Sequence, residues 1–305
     1  MEKKGGADLS KIEEGLYLGN LIAATEPKCL EEHFISHILT VDSKPLPTSI
    51  TSLPGMNFLY IKANDLPQEN LLIHFEDAIN FIEEAQTKGS VLVHCFFGVS
   101  RSATLVTCFL MKKYRITFDE ALGRIKARRG CVGPNSGFLQ QLYLFQNMGW
   151  KLAEDHFQFR AFLLKSYAFA ISKGRKVDEN KYKCLVQPDP RTTPSESPVI
   201  YKCRMCRSSL VRKDSIMPHC DGQSPFWNDT KWAEPWDDAS LCTQGIFTLP
   251  ISWMADFTSE LKGKLTCAKC QAKLGSYDWC GGKCPCGAKI TPAFFFIPSK
   301  VDKCS

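Results

Sequence analysis

No stretch of this 305-residue chain holds the roughly 20 consecutive apolar residues that a bilayer-spanning helix requires, so no membrane partnership is expected. Its opening residues, MEKKGGADLSKIEEG, lack the apolar core of a secretory signal. A soluble, intracellular protein is the expectation. Charge of one sign is not in strong excess either: the net +6 divides into −1 over residues 1–150, +3 over 151–200 and +4 over 201–305. That surplus is too small to argue nucleic-acid binding by itself, and thiolates holding metal in the C-terminal half would largely cancel it. Residues 200–305 show little helical periodicity and no internal repeat beyond recurring cysteine pairs.

Ordinary globular content is present, with 44% hydrophobic and 23% charged residues, and the length suits two modest domains. The fifteen cysteines would suggest disulfides in a small secreted domain. In a reducing compartment the same number points to metal binding or catalysis.

From residue 12 the pattern is α/β. Strands are predicted at Leu16–Gly19, Ile38–Val41, Phe58–Ile61 and Val91–Val93, with helical stretches over 23–33 and 70–86. Three more helices are predicted over 102–114, 118–129 and 136–148, separated by Gly130 and Gly133–Pro134. Residues 151–183 have helical character. The proline-rich QPDPRTTPSESP at 187–198 cannot form a core and is predicted to be a linker. The expected division is therefore a domain over 1–150, a helical and proline-rich linker over 151–199, and a cysteine-rich domain over 200–305.

The strongest signal is VLVHCFFGVSRSATLV at 91–106: an apolar strand, His94–Cys95, five residues, Arg101–Ser102, then an apolar helix. The backbone N–H groups of Phe96, Phe97, Gly98, Val99, Ser100 and Arg101 can curl around one phosphate, with the helix N-terminus adding field for an anion. The same field favours a thiolate at Cys95. Arg101 supplies a planar fork for two phosphate oxygens, and Gly98 permits a backbone conformation that bulkier residues resist. Asp65, on the KANDLPQENLL loop thirty residues before Cys95, is the foremost acid for protonating a leaving oxygen, with Asp42 and Glu69 as rivals.

His94–Ser102 resembles the signature of protein tyrosine and dual-specificity phosphatases, and GLYLGN with ILTVDS resembles the dual-specificity branch. The resemblance implies an α/β fold with a central sheet flanked by helices. It also implies hydrolysis of phosphotyrosine, phosphoserine and phosphothreonine in phosphoproteins, with no metal needed for catalysis. Cys95 would form a phosphocysteine, Asp65 would act first as acid and then as base, and Ser102 would stabilise the departing thiolate. His94 would organise the loop and Asn135 would brace it, a plain helix cap being the competing role for Asn135. Phe96 and Phe97 depart from the small residues common in that loop.

The C-terminal half carries a second constellation: Cys203, Cys206, His219, Cys242, Cys267, Cys270, Cys284 and Cys286. Cysteines two residues apart can bite one tetrahedral zinc, so eight ligands suit two structural ions in a small β-rich domain. The grouping stays open between Cys203 and Cys206 with His219 and Cys242, or both Cys-x-x-Cys pairs together. Cys220 and Cys280 are substitutes for a neighbouring ligand. GKLTCAKCQAKLGSYDW and CGAKITPAFFF resemble the dual specificity protein phosphatase 12 family, which implies two zincs, a cytoplasmic and nuclear location, and a role in assembling pre-60S ribosomal particles. On the rival functional reading the chain is a ribosome-biogenesis factor in which catalysis is secondary. The basic residues Lys202, Arg204, Arg207, Arg212 and Lys213 are compatible with ribosomal RNA contact or with a solvated face.

Overall fold

A computed structural model describes residues 6–154, 156–174, 185–193, 199–223, 241–254, 257 and 260–304, and divides the chain into two compact units, Met1–Ala153 and Glu154–Ser305. The first unit is built on a five-stranded mixed sheet of β1 (Leu9–Glu13), β2 (Leu16–Gly19), β3 (Ile35–Asp42), β4 (Asn57–Lys62) and β5 (Ser90–His94), in the order β1-β2-β5-β3-β4. Strands β2, β5, β3 and β4 run parallel, and β1 joins antiparallel at the edge. Central β5 is buried on both faces: Val91, Leu92 and Val93 are all fully shielded. Such a strand needs the unbroken apolar run that its sequence has.

On one face, Leu92 and Ile38 pack with Ala24, Leu30 and Ile50 from the short helices α1 (Leu21–Thr25), α2 (Pro27–Glu32) and α3 (Thr48–Thr51). Elsewhere in the unit are α4 (Phe75–Lys88), α5 (Arg101–Tyr114), α6 (Phe118–Arg128) and α7 (Ser136–Asn147). Every residue of α5 from Arg101 to Met111 is buried, as expected of a helix that is apolar nearly all round. Thr117 and Glu120 form a reciprocal capping box that starts α6, and Asn135 caps α7. The predicted helix over 23–33 is two helices, because Pro27 opens a new one where it can occupy a first turn without breaking a bond.

Because β5, β3 and β4 are parallel, their carboxyl ends lie on one side of the sheet, with Thr40 beside His94 and Asp42 beside Lys62. That edge is where open parallel sheets gather ligands. Here it collects the loop after β5, the end of β3 and the loop after β4.

Among its described residues the second unit contains α8 (Phe157–Ser172) and three small antiparallel sheets. One orders β14 (Val301–Cys304), β6 (Ile200–Cys203) and β7 (Ser209–Arg212). A second orders β8 (Ile246–Phe247), β13 (Ala293–Phe296), β10 (Lys273–Asp278) and β9 (Lys262–Thr266). A third pairs β11 (Gly282–Lys283) with β12 (Lys289–Ile290). Fully buried Trp279 packs against Phe294 and against Tyr167 of α8, with ring centroids 5.2 and 4.8 Å away.

Two segments assigned to the linker thus behave differently from that reading. Helix α8 belongs to the second unit because its aromatic face has Trp279 to cover. Gln187 is buried, its N–H donating to Pro250 O at 2.8 Å and its carbonyl accepting from Ser252 N–H at 2.9 Å, so the start of 187–198 is stitched into the fold. The remaining predicted helix and linker at 175–184 and 194–198 lie outside the described residues.

Candidate active site and thiol clusters

Cys95 follows β5 directly and is 1% exposed. Its sulfur accepts from Gly98 N–H at 3.2 Å and from the Ser102 hydroxyl at 3.1 Å. The carbonyls of the loop are all held by protein donors. Cys95 O faces His94 Nδ1 at 3.4 Å, Phe96 O accepts from Leu21 N–H, and Phe97 O and Gly98 O accept from the Arg129 guanidinium. Val99 O accepts from Gly133 N–H, and Ser100 O accepts from Thr104 N–H and the Thr104 hydroxyl.

In a trans peptide the next residue's N–H points opposite to each carbonyl. The amides of residues 96–101 are therefore directed away from those donors, and the Gly98 N–H on the Cys95 sulfur gives the sense of that direction. Among the described residues, the N–H groups of Phe96, Phe97, Val99 and Ser100 have no protein acceptor. Gly98 has φ +68°, and a Cβ there would stand 2.4 Å from Gly19 O, so both conformation and space demand glycine.

Arg101, 6% exposed, donates through Nη1 to Asp42 Oδ1 at 2.9 Å and to Ala63 O at 3.1 Å. Its Nε is buried with no hydrogen-bond partner among the described residues, 3.7 Å from Asp65 Oδ2. An unpartnered buried guanidinium N–H is costly unless an anion completes it. Asp65 Oδ1 accepts from the Ser100 hydroxyl at 2.7 Å and from Asn135 Nδ2 at 2.8 Å. Asn135 Oδ1 also caps α7 at Phe138 N–H, and its backbone N–H donates to the Ser100 hydroxyl of the cysteine loop at 3.2 Å.

Of the rival acids, Asp42 is buried against Arg101, and Glu69 accepts from the backbone and side chain of Asn64. His94 is fully buried. A carbonyl can only accept, so Nδ1 carries the proton facing Cys95 O, and Nε2 accepts from the Thr40 hydroxyl at 2.8 Å. Burial pushes its pKa down to about 4, which keeps the ring neutral.

Several supporting residues escaped the sequence reading. Arg129, 4% exposed, grips both oxygens of Asp8 at 2.7 Å and holds two loop carbonyls. That pairing holds the Asp8 carboxyl below its usual range. Gln141 accepts from Leu71 and Leu72 N–H at 2.8 Å and donates to Glu69 O at 2.8 Å, tying the Asp65 loop to α7. A signal for it existed: Gln141 takes the i+3 place in the apolar stripe Phe138, Leu142, Phe145. Gly137 touches the same loop, and a Cβ there would fall 1.9 Å from Pro67 O.

In the second unit the eight predicted ligands form two groups, each with its ligand atoms within 4.8 Å of one another: Cys203, Cys206, Cys267 and Cys270, and His219, Cys242, Cys284 and Cys286. The first group is the pairing of both Cys-x-x-Cys turns. These turns are built alike: Arg207 N–H donates to Cys203 O and Gln271 N–H to Cys267 O, each at 2.8 Å, with Arg207 and Gln271 both in the left-handed region. Cys203 and Cys270 sulfurs are 3.8 Å apart, Cys206 and Cys267 3.6 Å, and Cys242 and Cys284 3.8 Å; Cys286 sulfur lies 3.5 Å from His219 Nε2.

A tetrahedral ion with metal–sulfur bonds of about 2.3 Å has edges of about 3.8 Å, and about 3.6 Å where one ligand is an imidazole. The donors fit such an ion, and either group could hold a metal. Cys220 and Cys280 belong to neither group. Of the basic residues, Arg212 is buried and donates to Thr193 O, while Arg204 and Arg207 both face Asp302.

Residues 16–148 match the family model described as dual specificity phosphatase, catalytic domain. Similarity also runs through the second unit: the chain is 33% identical to dual specificity protein phosphatase MPK-4 of Drosophila melanogaster, over 98% of this chain and 88% of that one. It is 34% identical to dual specificity protein phosphatase 12 of Mus musculus, over 96% and 88%. This chain belongs to the dual specificity protein phosphatase 12 family. The tyrosine-protein phosphatase yvh1 of Schizosaccharomyces pombe is a further relative, 31% identical over 97% of this chain and 84% of that one. As a member of the family, the chain is a dual specificity protein phosphatase with phosphoprotein substrates. None of its described helices is long and apolar enough to cross a membrane.

Proposed function

We propose that the first unit hydrolyses phosphotyrosine, phosphoserine and phosphothreonine through a phosphocysteine. In the first step the Cys95 thiolate attacks phosphorus in line, the phosphorus–oxygen bond breaks, and the Asp65 carboxylic acid gives its proton to the leaving oxygen. In the second, Asp65 takes a proton from water whose oxygen bonds phosphorus. The phosphorus–sulfur bond then breaks, and the thiolate leaves towards the Ser102 hydroxyl. Arg101 and the amides of 96–101 hold the equatorial oxygens throughout, a charge-stabilising role. Asp42 fixes Arg101, Asn135 fixes Asp65, and neutral His94 ties the loop to β3.

The observation that carries this reading is the set of protein donors holding every carbonyl from Cys95 to Ser100, which leaves the opposite amides for an anion beside the sulfur. Rapid quenching of aryl phosphate turnover should trap phosphorus on Cys95, and Cys95→Ser should lower kcat at least about a thousandfold. Turnover that persists in Cys95→Ser overturns the reading.

For the second unit we propose two structural zinc ions, one in each four-ligand group, supported by the spacing of the donors. A targeting role towards pre-60S ribosomal particles, in the cytoplasm and nucleus, is the reading we attach to it. Within the cluster of Lys202, Arg204, Arg207, Arg212 and Lys213, the side chains of Lys202 and Lys213 have neither an ion pair nor a hydrogen bond among the described residues. Co-sedimentation with those particles should survive Cys95→Ser and be lost in Cys267→Ser. Loss in both variants would instead tie binding to catalysis.

A further inference from the structure

Two aromatic rings occupy loop positions where the packing of the unit has no use for them. Phe96 is 50% exposed and Phe97 69% exposed, and their rings meet edge to face with centroids 4.7 Å apart. Their carbonyls are anchored in the protein by Leu21 and Arg129, which fixes the backbone from which both side chains project. Ile22, next to Leu21, is 41% exposed, and Leu66, next to Asp65, is 45% exposed. The loop and the chain neighbours of two residues bonded to it therefore place four large apolar side chains in solvent.

Attack in line from the buried Cys95 sulfur sends the leaving oxygen away from the sulfur and out of the loop that carries Phe96 and Phe97. The leaving group of phosphotyrosine is itself a ring, which can lie against an aromatic face and gain from the contact. The leaving group of phosphoserine or phosphothreonine has no such face. It brings its own peptide N–H and C=O close to the loop, where apolar rings offer those groups no hydrogen bond.

We propose that Phe96 and Phe97 form a specificity-determining wall that favours phosphotyrosine over phosphoserine and phosphothreonine; this rests on the Cys95 reading above. Phe97, the more exposed ring, supplies most of the contact, with Phe96 buttressing it edge on.

The test compares kcat/KM of the full chain on two peptides identical except for phosphotyrosine or phosphothreonine at one position. Wild type should prefer the phosphotyrosine peptide. Phe97→Ala should lower that preference by about five- to tenfold, mainly through a higher KM for the phosphotyrosine peptide, and Phe97→Tyr should restore it. A general loosening of the loop would instead depress both peptides alike. A wild-type preference near one, or a ratio unmoved in Phe97→Ala, overturns the proposal without touching the nucleophile. Turnover surviving in Cys95→Ser is the separate result that would remove the nucleophile reading beneath it.

Discussion

In the first unit a single sulfur, Cys95, is ringed by donors; in the second, seven sulfurs and one imidazole are ringed by one another. A sulfur that accepts from a backbone amide and a hydroxyl needs no ion to be tolerated. Thiolates under 4 Å from one another repel once ionised, and only a cation at their centre makes the arrangement favourable. The architecture around each follows. The first unit can bury a continuous core of β5, α5 and their neighbours, and the sulfur is placed by that core. The second has short strands in three small sheets, and its ligands come from turns more than sixty residues apart, such as Cys203 and Cys267. There the ion is expected to place the chain.

Metal removal is the sharpest way to break this contrast. Structural zinc contributes on the order of 10 kcal/mol to small domains, more than such a core supplies by itself. Stripping the ions with a strong chelator, or making Cys267→Ser, should abolish the second unit's cooperative unfolding transition. Hydrolysis of a small aryl phosphate at Cys95 should continue. Calorimetry together with metal analysis reads the first effect and a colorimetric assay the second. If both units melt together, the ion-dependent and core-dependent modes of support are not separate.

The next effect lies within the first unit, between the nucleophile and its acid. Asp65→Asn removes the proton donor but leaves the sulfur and its amides, so kcat on an alkyl phosphate ester should fall by about 10²–10⁴-fold. An aryl ester whose leaving group is already acidic should lose much less. Gly137→Ala gives the same signature at smaller amplitude, because the new Cβ meets Pro67 O at 1.9 Å and pushes the Asp65 loop. Equal losses on both esters would mean that Asp65 serves the nucleophile's position rather than protonation.

The two regions were also unequally legible. His94 to Ser102 is nine contiguous residues, and its strand-to-helix setting follows from apolar patterning, so the loop could be read from the sequence alone. What makes the loop a cradle could not. The donors on its carbonyls come from Leu21, Arg129 and Gly133, which only the fold brings together, and edge strand β1, source of the Ser10 contact to Arg129, carries too little apolar alternation to be noticed. In the second unit, spacing identifies pairs of ligands but not which pairs meet, because that depends on how the turns of β6–β7 and β9–β10 face each other. Composition misled at Gln187, where prolines nearby suggested a free linker and backbone pairing with Pro250 and Ser252 prevails.

The smallest expected effect tests whether the first unit's polar core is as fixed as its apolar one. His94 has an ordinary pKa of 6.5 when the chain is unfolded and one of about 4 when folded, chiefly because burial disfavours the charged ring. Between those values the unfolded chain binds the extra proton and the folded one does not, so acid favours unfolding. The stability that His94 contributes as a neutral ring is complete above pH 6.5. It declines as pH falls towards 4, by about 3 kcal/mol in all, and is level below that. His94→Asn keeps a side-chain N–H for Cys95 O but cannot take up the proton. Denaturant midpoints for this variant should lose that component of the slope between pH 6.5 and 4, while the wild type keeps it. Parallel slopes in the two proteins would mean that the ring protonates without unfolding. Thr40 would then be accepting a proton from Nε2 rather than donating one, and the neutral link between β3 and the loop would have to be redrawn.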